Sequence, residues 1–260
     1  MQEALSSSGL EPREARLLLA VATGFSEASI IASSQTVSDQ AQERFAELVA
    51  RRKTGEPVAY ILGRKEFYGL ELAVNPAVLI PRPETELLVD LSLERDFGNA
   101  VDLGTGSGAI ALALKKRRPQ ARVLAVDSSA AALVVAQRNA TRLNLKIELR
   151  HGQWLEEIQE SFDLIVSNPP YVAAGDPHLP DLRFEPAAAL VSGADGLDAI
   201  RELARRAPAR LAAGGWLLLE HGMGQERAVR ELLIGAGLEE VASWPDLAGI
   251  PRVSGGRRKI

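Results

Sequence analysis

The sequence predicts an α/β protein: a doubly wound, mostly parallel seven-stranded sheet, preceded by a small helical N-terminal domain and a connecting β-hairpin. Three observations predict it. From Ala100 onward, short apolar runs alternate with segments of helical period, the pattern of strands joined by crossover helices. The first of these runs leads into Gly104-Thr105-Gly106-Ser107-Gly108, a glycine turn set between a strand and a helix. Up to about residue 75 the apolar spacing is mainly helical instead. We divide the chain into 1–75, helices plus hairpin, and 76–260, the sheet domain.

Each element has a local reason. A helix opens at Pro12, where a missing N–H is harmless, and Gly24 offers its stop. Ser38-Asp39 caps a second helix through Gln42, Phe45, Leu48 and Val49, ended by Gly55-Glu56-Pro57. Glu66 to Val74 alternates around Gly69 and reads as a hairpin. Ile80-Pro81-Arg82-Pro83-Glu84-Thr85-Glu86 is extended by its prolines, with Thr85 or Glu84 placed to cap a helix through Leu87, Leu88 and Leu91. The strands expected after that are Ala100–Leu103, Val123–Val126, Ile147–Leu149, Asp163–Ser167, Gly215–Glu220, Leu238–Trp244 and Arg252–Ile260. Helices fill Ala109–Arg118, Ala130–Arg142, about Leu197–Leu211 and Gln225–Leu233.

Composition narrows the function classes. The chain has no cysteine, which removes disulfides, thiolate metal sites and cysteine nucleophiles. Met1-Gln2-Glu3-Ala4-Leu5 lacks the basic and apolar regions of a leader, and no apolar run approaches the roughly 18 residues of a membrane span. A cytoplasmic protein without a membrane partner is expected. A net charge of −4 argues against a dedicated nucleic-acid binder. The basic runs at Lys115–Arg118 and Arg257–Lys259 read as solvated faces. The three histidines, His151, His178 and His221, form no site by spacing, and no metal is expected.

The chemistry concentrates in two loops. Gly104, Gly106 and Gly108 allow a tight turn and a close approach of backbone to ligand. Asp127 ends the next strand about twenty residues on, where a carboxylate suits a ribose hydroxyl pair. Together they imply an adenosine-containing ligand. Gly104 to Ala109 also satisfies G-x-G-x-x-A, so a nicotinamide dinucleotide stays open. Asp102, placed to meet an ammonium, leans toward S-adenosylmethionine. So does Asn168-Pro169-Pro170-Tyr171, a stiff row of carbonyls flanked by an amide and a ring, at the end of the fourth strand.

With these residues the chain resembles the release-factor glutamine N5-methyltransferases, the PrmC or HemK family. The resemblance runs through Arg52–Pro57, Ile80–Glu86, Asp102–Ile110, Asn168–Tyr171, Arg183-Phe184-Glu185-Pro186, Leu219-Glu220-His221-Gly222 and Asp246–Arg252. It implies a class I, Rossmann-like methyltransferase that uses S-adenosyl-L-methionine and yields S-adenosyl-L-homocysteine. The implied acceptor is the glutamine of the Gly-Gly-Gln motif in class-1 peptide chain release factors. By resemblance, Asp102, Gly104 to Gly108, Asp127, Trp154 and Asn168 meet the donor, while Asn168, Pro169, Pro170 and Tyr171 hold the acceptor. The Asn168 oxygen and Pro169 carbonyl would accept the two amide N–H bonds, and Tyr171 would pack on the amide. Gln153 stands where the family has an aspartate, and the stretch from Asp176 to Arg183 is short for it. Glu84 and Glu185 are candidate pocket residues. Competing readings are a glutamine in a ribosomal protein, the exocyclic amine of adenine in DNA, a nicotinamide-dependent oxidoreductase, and a non-enzymatic scaffold.

Overall fold

Local chemistry sets the first helices. The structure, a computed structural model, describes residues 2–32 and 37–260; Met1, at the head of the stretch examined for a leader, lies outside them. Helix α1 (Gln2–Ser7) precedes α2 (Pro12–Thr23), which opens on its proline and closes on Gly24 at φ 74°, a left-handed cap that glycine adopts without strain. After α3 (Glu27–Ala32) comes α4 (Asp39–Lys53), whose first turn is capped by the Ser38 hydroxyl accepting from the Ala41 N–H. A short α5 (Val58–Leu62) follows. Leu18, Leu19, Ile30, Phe45 and Leu48 are buried together, so these helices have a core of their own and form one unit, 1–64.

The second unit, Lys65–Ile260, takes in the hairpin of β1 (Arg64–Phe67) and β2 (Leu70–Ala73). Periodicity alone attaches this hairpin to the helical part and sets a boundary near residue 75; the boundary falls at residues 64–65 instead. Packing is the cause. Phe67, Leu70 and Leu72 are buried in the same core as Leu88, Ile110 and Leu112.

A turn of 3-10 helix at Pro83–Thr85 leads into α6 (Glu86–Leu93). Thr85 occupies the N-cap position, but in helical geometry and without a side-chain capping bond. The expected cap is therefore not made, and the Thr85 hydroxyl is used elsewhere. The alternating region then runs β3 (Asn99–Leu103), α7 (Ala109–Arg117), β4 (Arg122–Asp127), α8 (Ala130–Leu143), β5 (Glu148–His151), β6 (Phe162–Ser167), α9 (Asp198–Arg206), β7 (Leu211–Glu220), α10 (Glu226–Gly235), β8 (Glu239–Pro245) and β9 (Pro251–Arg257).

The seven strands β3–β9 form one sheet in the order β5-β4-β3-β6-β7-β9-β8. The first five are parallel, and β9 runs antiparallel to both β7 and β8. Alternate strand residues feed opposite layers: Val123 and Ala125 join the core with α6 and α7, Leu124 and Val126 the core with α9 and α10. Strand order reverses between β3 and β6, and a crevice opens at the carboxyl ends of strands at such a point. Both chemical loops start there.

Candidate active site

Beyond β3 the chain turns through Gly104, Gly106 and Gly108 at φ 74°, 55° and 83°. The Gly104 and Thr105 N–H groups donate to the Val126 carbonyl at 2.9 and 3.0 Å, keying the loop to the end of β4. Asp127 closes β4 and clasps the loop. Its Oδ2 accepts from the Gly106 N–H at 2.8 Å and its Oδ1 from the Ser129 N–H at 2.8 Å. A Cβ on Gly108 would lie 3.1 Å from Leu112 and 3.3 Å from Ala136, so that glycine serves helix packing. A Cβ on Gly106 would meet nothing within 4 Å; there, glycine leaves room for a ligand.

Asp102 lies behind this loop, fully buried. Its Oδ2 accepts from the Thr105 hydroxyl at 2.6 Å and the Ala111 N–H at 3.2 Å, while Oδ1 has no partner among the described residues. Burial pushes the carboxyl up to about 7, against the pull of Thr105 and Ala111. Through Oδ2 this residue braces the loop.

The second loop is pinned at both ends. The Ser167 hydroxyl donates to the Leu103 carbonyl at 2.6 Å, tying β6 to β3 just before Asn168. The Asn168 Nδ2 donates to the Thr85 hydroxyl at 3.1 Å. At the far end the Tyr171 hydroxyl donates to Glu220 Oε1 at 3.3 Å, and the Tyr171 carbonyl accepts from Gln225 Nε2 at 3.1 Å. Glu220, the last residue of β7, is 1% exposed, and its Oε2 has no partner among the described residues. Burial pushes its carboxyl up to about 7, while hydrogen bonds from Thr85 and Tyr171 draw it back. Burial, and next the Glu220 charge, also raise the Tyr171 phenol.

One cavity of about 630 Å³ joins the two loops. Gly104, Thr105, Gly106, Ser107, Asp127, Trp154, Asn168 and Pro170 line it, together with Gln153. The Trp154 ring covers Gly104, where a Cβ would lie 3.2 Å from it. Asp102, Gly108, Pro169 and Tyr171 stand outside this lining. Among the other candidates, Glu185 is buried and accepts from the Ile80 N–H at 3.0 Å and Arg82 Nη2 at 2.5 Å, clasping that segment to the chain after the tetrapeptide. Glu84 is exposed. His221 is buried and bridges the Gly222 carbonyl and the Ser254 hydroxyl; His151 meets the Ser128 carbonyl, and His178 pairs with Asp176.

The PrmC N-terminal domain model matches residues 1–63, and the methyltransferase small domain model matches residues 83–181. A release factor glutamine methyltransferase of Xylella fastidiosa is 56% identical over 225 residues, spanning 84% of this chain and 82% of that protein. One of Bordetella pertussis is 49% identical over 265 residues, 98% of both chains. The chain belongs to the release factor glutamine methyltransferase family. A solved methyltransferase from Pyrococcus furiosus shares the fold, with a TM-score of 0.58 and 20% identity over 81% of this chain and 98% of that one. As in other members of the methyltransferase families, S-adenosylmethionine is the methyl donor. The residues present fit it: a glycine cradle with open space at Gly106, a carboxylate at Asp127 and a ring at Trp154 share one cavity.

Two parts of this family site escape a reading by motif. The first is the pinning of the tetrapeptide by Thr85 at Asn168 and by Glu220 at Tyr171, both across a large sequence distance. The second is Asn139, fully buried on α8. Its Oδ1 accepts from the Ala73 N–H at 2.7 Å, and its Nδ2 donates to the Ala73 and Ser107 carbonyls at 3.0 and 2.9 Å. An asparagine on the same helical face as Ala132, Val135, Ala136 and Ala140 was the available signal, since a buried amide needs partners.

Proposed function

We propose that this chain transfers the methyl group to the side-chain amide nitrogen of glutamine in the Gly-Gly-Gln motif of class-1 release factors, holding that amide with Asn168 and Pro169. The observation that carries the reading is the Asn168 side chain. Its nitrogen is committed to Thr85 at 3.1 Å, its oxygen accepts nothing from the described residues, and it lines the cavity of the glycine loop. An amide nitrogen is a weak nucleophile because its lone pair is shared with the carbonyl. S-adenosylmethionine, when bound, supplies an electrophilic methyl group on a positively charged sulfur. Asn168 Oδ1 and the Pro169 carbonyl accept the two amide N–H bonds, which aligns the nitrogen and favours its pyramidal form in the transition state. Tyr171 packs on the flat amide and excludes water. With its pKa raised, its phenol keeps its proton at neutral pH and stays a donor to Glu220.

Toward the donor, Gly106 leaves room and Trp154 supplies a flat apolar wall. Each Asp127 oxygen keeps a second lone pair for a ribose hydroxyl. Asp102 contributes indirectly, by holding Thr105 and the start of α7. We assign recognition of the release factor to the helical unit 1–64, which holds none of these residues. A release-factor substrate places the reaction in the cytoplasm. The test is incubation with labelled donor and a purified release factor, followed by mass spectrometry. A methyl group on the Gly-Gly-Gln glutamine is expected. Label found elsewhere on the factor, with that glutamine unmodified, overturns the assignment.

A further inference from the structure

The tetrapeptide ends on the peptide unit between Tyr171 and Val172, and both polar ends of that unit are held. The Val172 N–H donates to the Leu190 carbonyl at 2.8 Å, and the Tyr171 carbonyl accepts from Gln225 Nε2 at 3.1 Å. Gln225, just before α10, spends the rest of its amide on two further segments. Its Oε1 accepts from the Gly222 N–H at 2.8 Å, beyond the end of β7, and its Nε2 also donates to the Asp195 carbonyl at 3.3 Å, ahead of α9. We propose that Gln225 is a positioning residue for the acceptor, fixing the plane of this peptide unit and through it the Tyr171 ring. This rests on the reading above, in which Tyr171 packs on the amide that is methylated.

The partners dictate which way the side-chain amide points. A backbone N–H only donates and a carbonyl only accepts, so Oε1 must face Gly222 and Nε2 must face Tyr171 and Asp195. No other side chain of this length carries an acceptor and a two-hydrogen donor on one flat group. The packing is equally close. A Cβ on Gly196 would collide with the Tyr171 carbonyl oxygen and lie 2.8 Å from Gln225 Nε2. One on Gly222 would lie 3.0 Å from Gln225 Oε1 and 3.3 Å from Tyr171 Cδ2. Two glycines thus flank the same contact, and their missing side chains are the space Gln225 reaches through. Gln225 itself is half-buried and stands outside the lining of the cavity, so it acts through the loop. Without it the peptide unit keeps one anchor, at Leu190, and rocks about it, carrying the ring off the acceptor amide. The bond from the Tyr171 hydroxyl to Glu220 tethers the far end of the ring but not its base.

The experiment compares Gln225→Met, which keeps the length but makes none of the three bonds, with Gln225→Glu, which keeps the acceptor for Gly222 but turns an oxygen toward two carbonyls. Rates on a release factor are measured at about pH 8, where the new glutamate is ionised, alongside KM, donor titration and thermal melting. Loss of the bond to Tyr171 predicts kcat about 10-fold lower in Gln225→Met, and the opposed charge about 100-fold lower in Gln225→Glu, with KM and donor Kd within about threefold of the parent. A role in filling space alone predicts the reverse order, because glutamate matches glutamine in shape. In a Tyr171→Ala background Gln225→Met should slow the enzyme no further, since both act through the same ring. Parental kcat in either variant, a Gln225→Glu enzyme no slower than Gln225→Met, or losses that multiply with Tyr171→Ala overturn the proposal. If the Gln225 variants melt early or fail to bind donor, Gly222→Ala decides. Its Cβ crowds Gln225 and Tyr171 without removing a bond, so kcat should fall about 3- to 10-fold, and parental kcat there overturns the proposal. A wild-type enzyme that leaves the Gly-Gly-Gln glutamine untouched would instead refute the function itself.

Discussion

Replacing Asp102 by asparagine isolates a charge that burial works against. The carboxyl is fully buried and its pKa rises from the ordinary 3.8 to about 7. Below pH 3.8 the group is neutral in both folded and unfolded chains, and its full contribution to stability is present. As pH rises toward 7 the unfolded chain ionises freely while the folded chain resists, so that contribution is lost. A shift of about 3 pH units at 1.36 kcal/mol each gives a loss on the order of 4 kcal/mol between pH 4 and 8. The substituted asparagine cannot ionise, yet its oxygen still accepts from Thr105 and Ala111. Both forms leave one polar atom without a partner, so that penalty cancels when the two proteins are compared across pH. The assay is thermal melting of Asp102→Asn against the parent from pH 4 to 8. The difference in Tm should move in favour of the variant with rising pH, by on the order of 10 °C. Melting curves that stay parallel across this range would refute the reasoning.

Three further outcomes are expected. Asn168→Ala should still bind donor by calorimetric titration but lower kcat at least about 100-fold, since it removes an acceptor made for the transition state; an unchanged kcat contradicts its role. Gly106→Ala places a Cβ in the open cavity at φ 55°, so donor Kd should rise about tenfold or more, with roughly 1 kcal/mol of backbone strain visible in the melt. Glu185→Ala strips Arg82 and the Ile80 N–H of a partner. Arg82 is one-third exposed, so the expected loss is about 2 kcal/mol rather than that of a fully buried pair, with faster hydrogen exchange at the Ile80 amide as the local readout.

The sheet domain was legible because its signals are local. Strand β3, the glycine turn and α7 follow one another within a few residues, and Asp127 sits at a spacing that only the parallel sheet makes meaningful. Thr85 shows the opposite case. It precedes a helix at the right place for a cap, but Asn168, just past β6, donates to its hydroxyl, and that tertiary contact wins over capping. The hairpin carries period-2 alternation but no mark of which core its apolar face enters. The place of Asp102 before the glycines carries no mark of its burial, which depends on how Thr105 and Ala111 fold back over it. Strand β7 starts at Leu211, before the apolar run at Gly215, because pairing with β6 extends past the residues whose side chains advertise a strand.

The amide of Asn139 makes cutting the protein in two a matter of a few residues. Expressed from residue 65, the larger unit retains Ala73, and this side chain keeps all three of its bonds. Started near residue 75, where the sequence pattern suggests, the same fragment loses Ala73. A fully buried amide oxygen and one amide hydrogen are then left bare beside the Ser107 carbonyl, next to the loop that receives the donor. A shortened enzyme of that kind should fail first in donor affinity, although the glycine loop, Asp127 and the tetrapeptide are all still present. For anyone grafting this catalytic unit onto another recognition domain, the hairpin belongs to the graft.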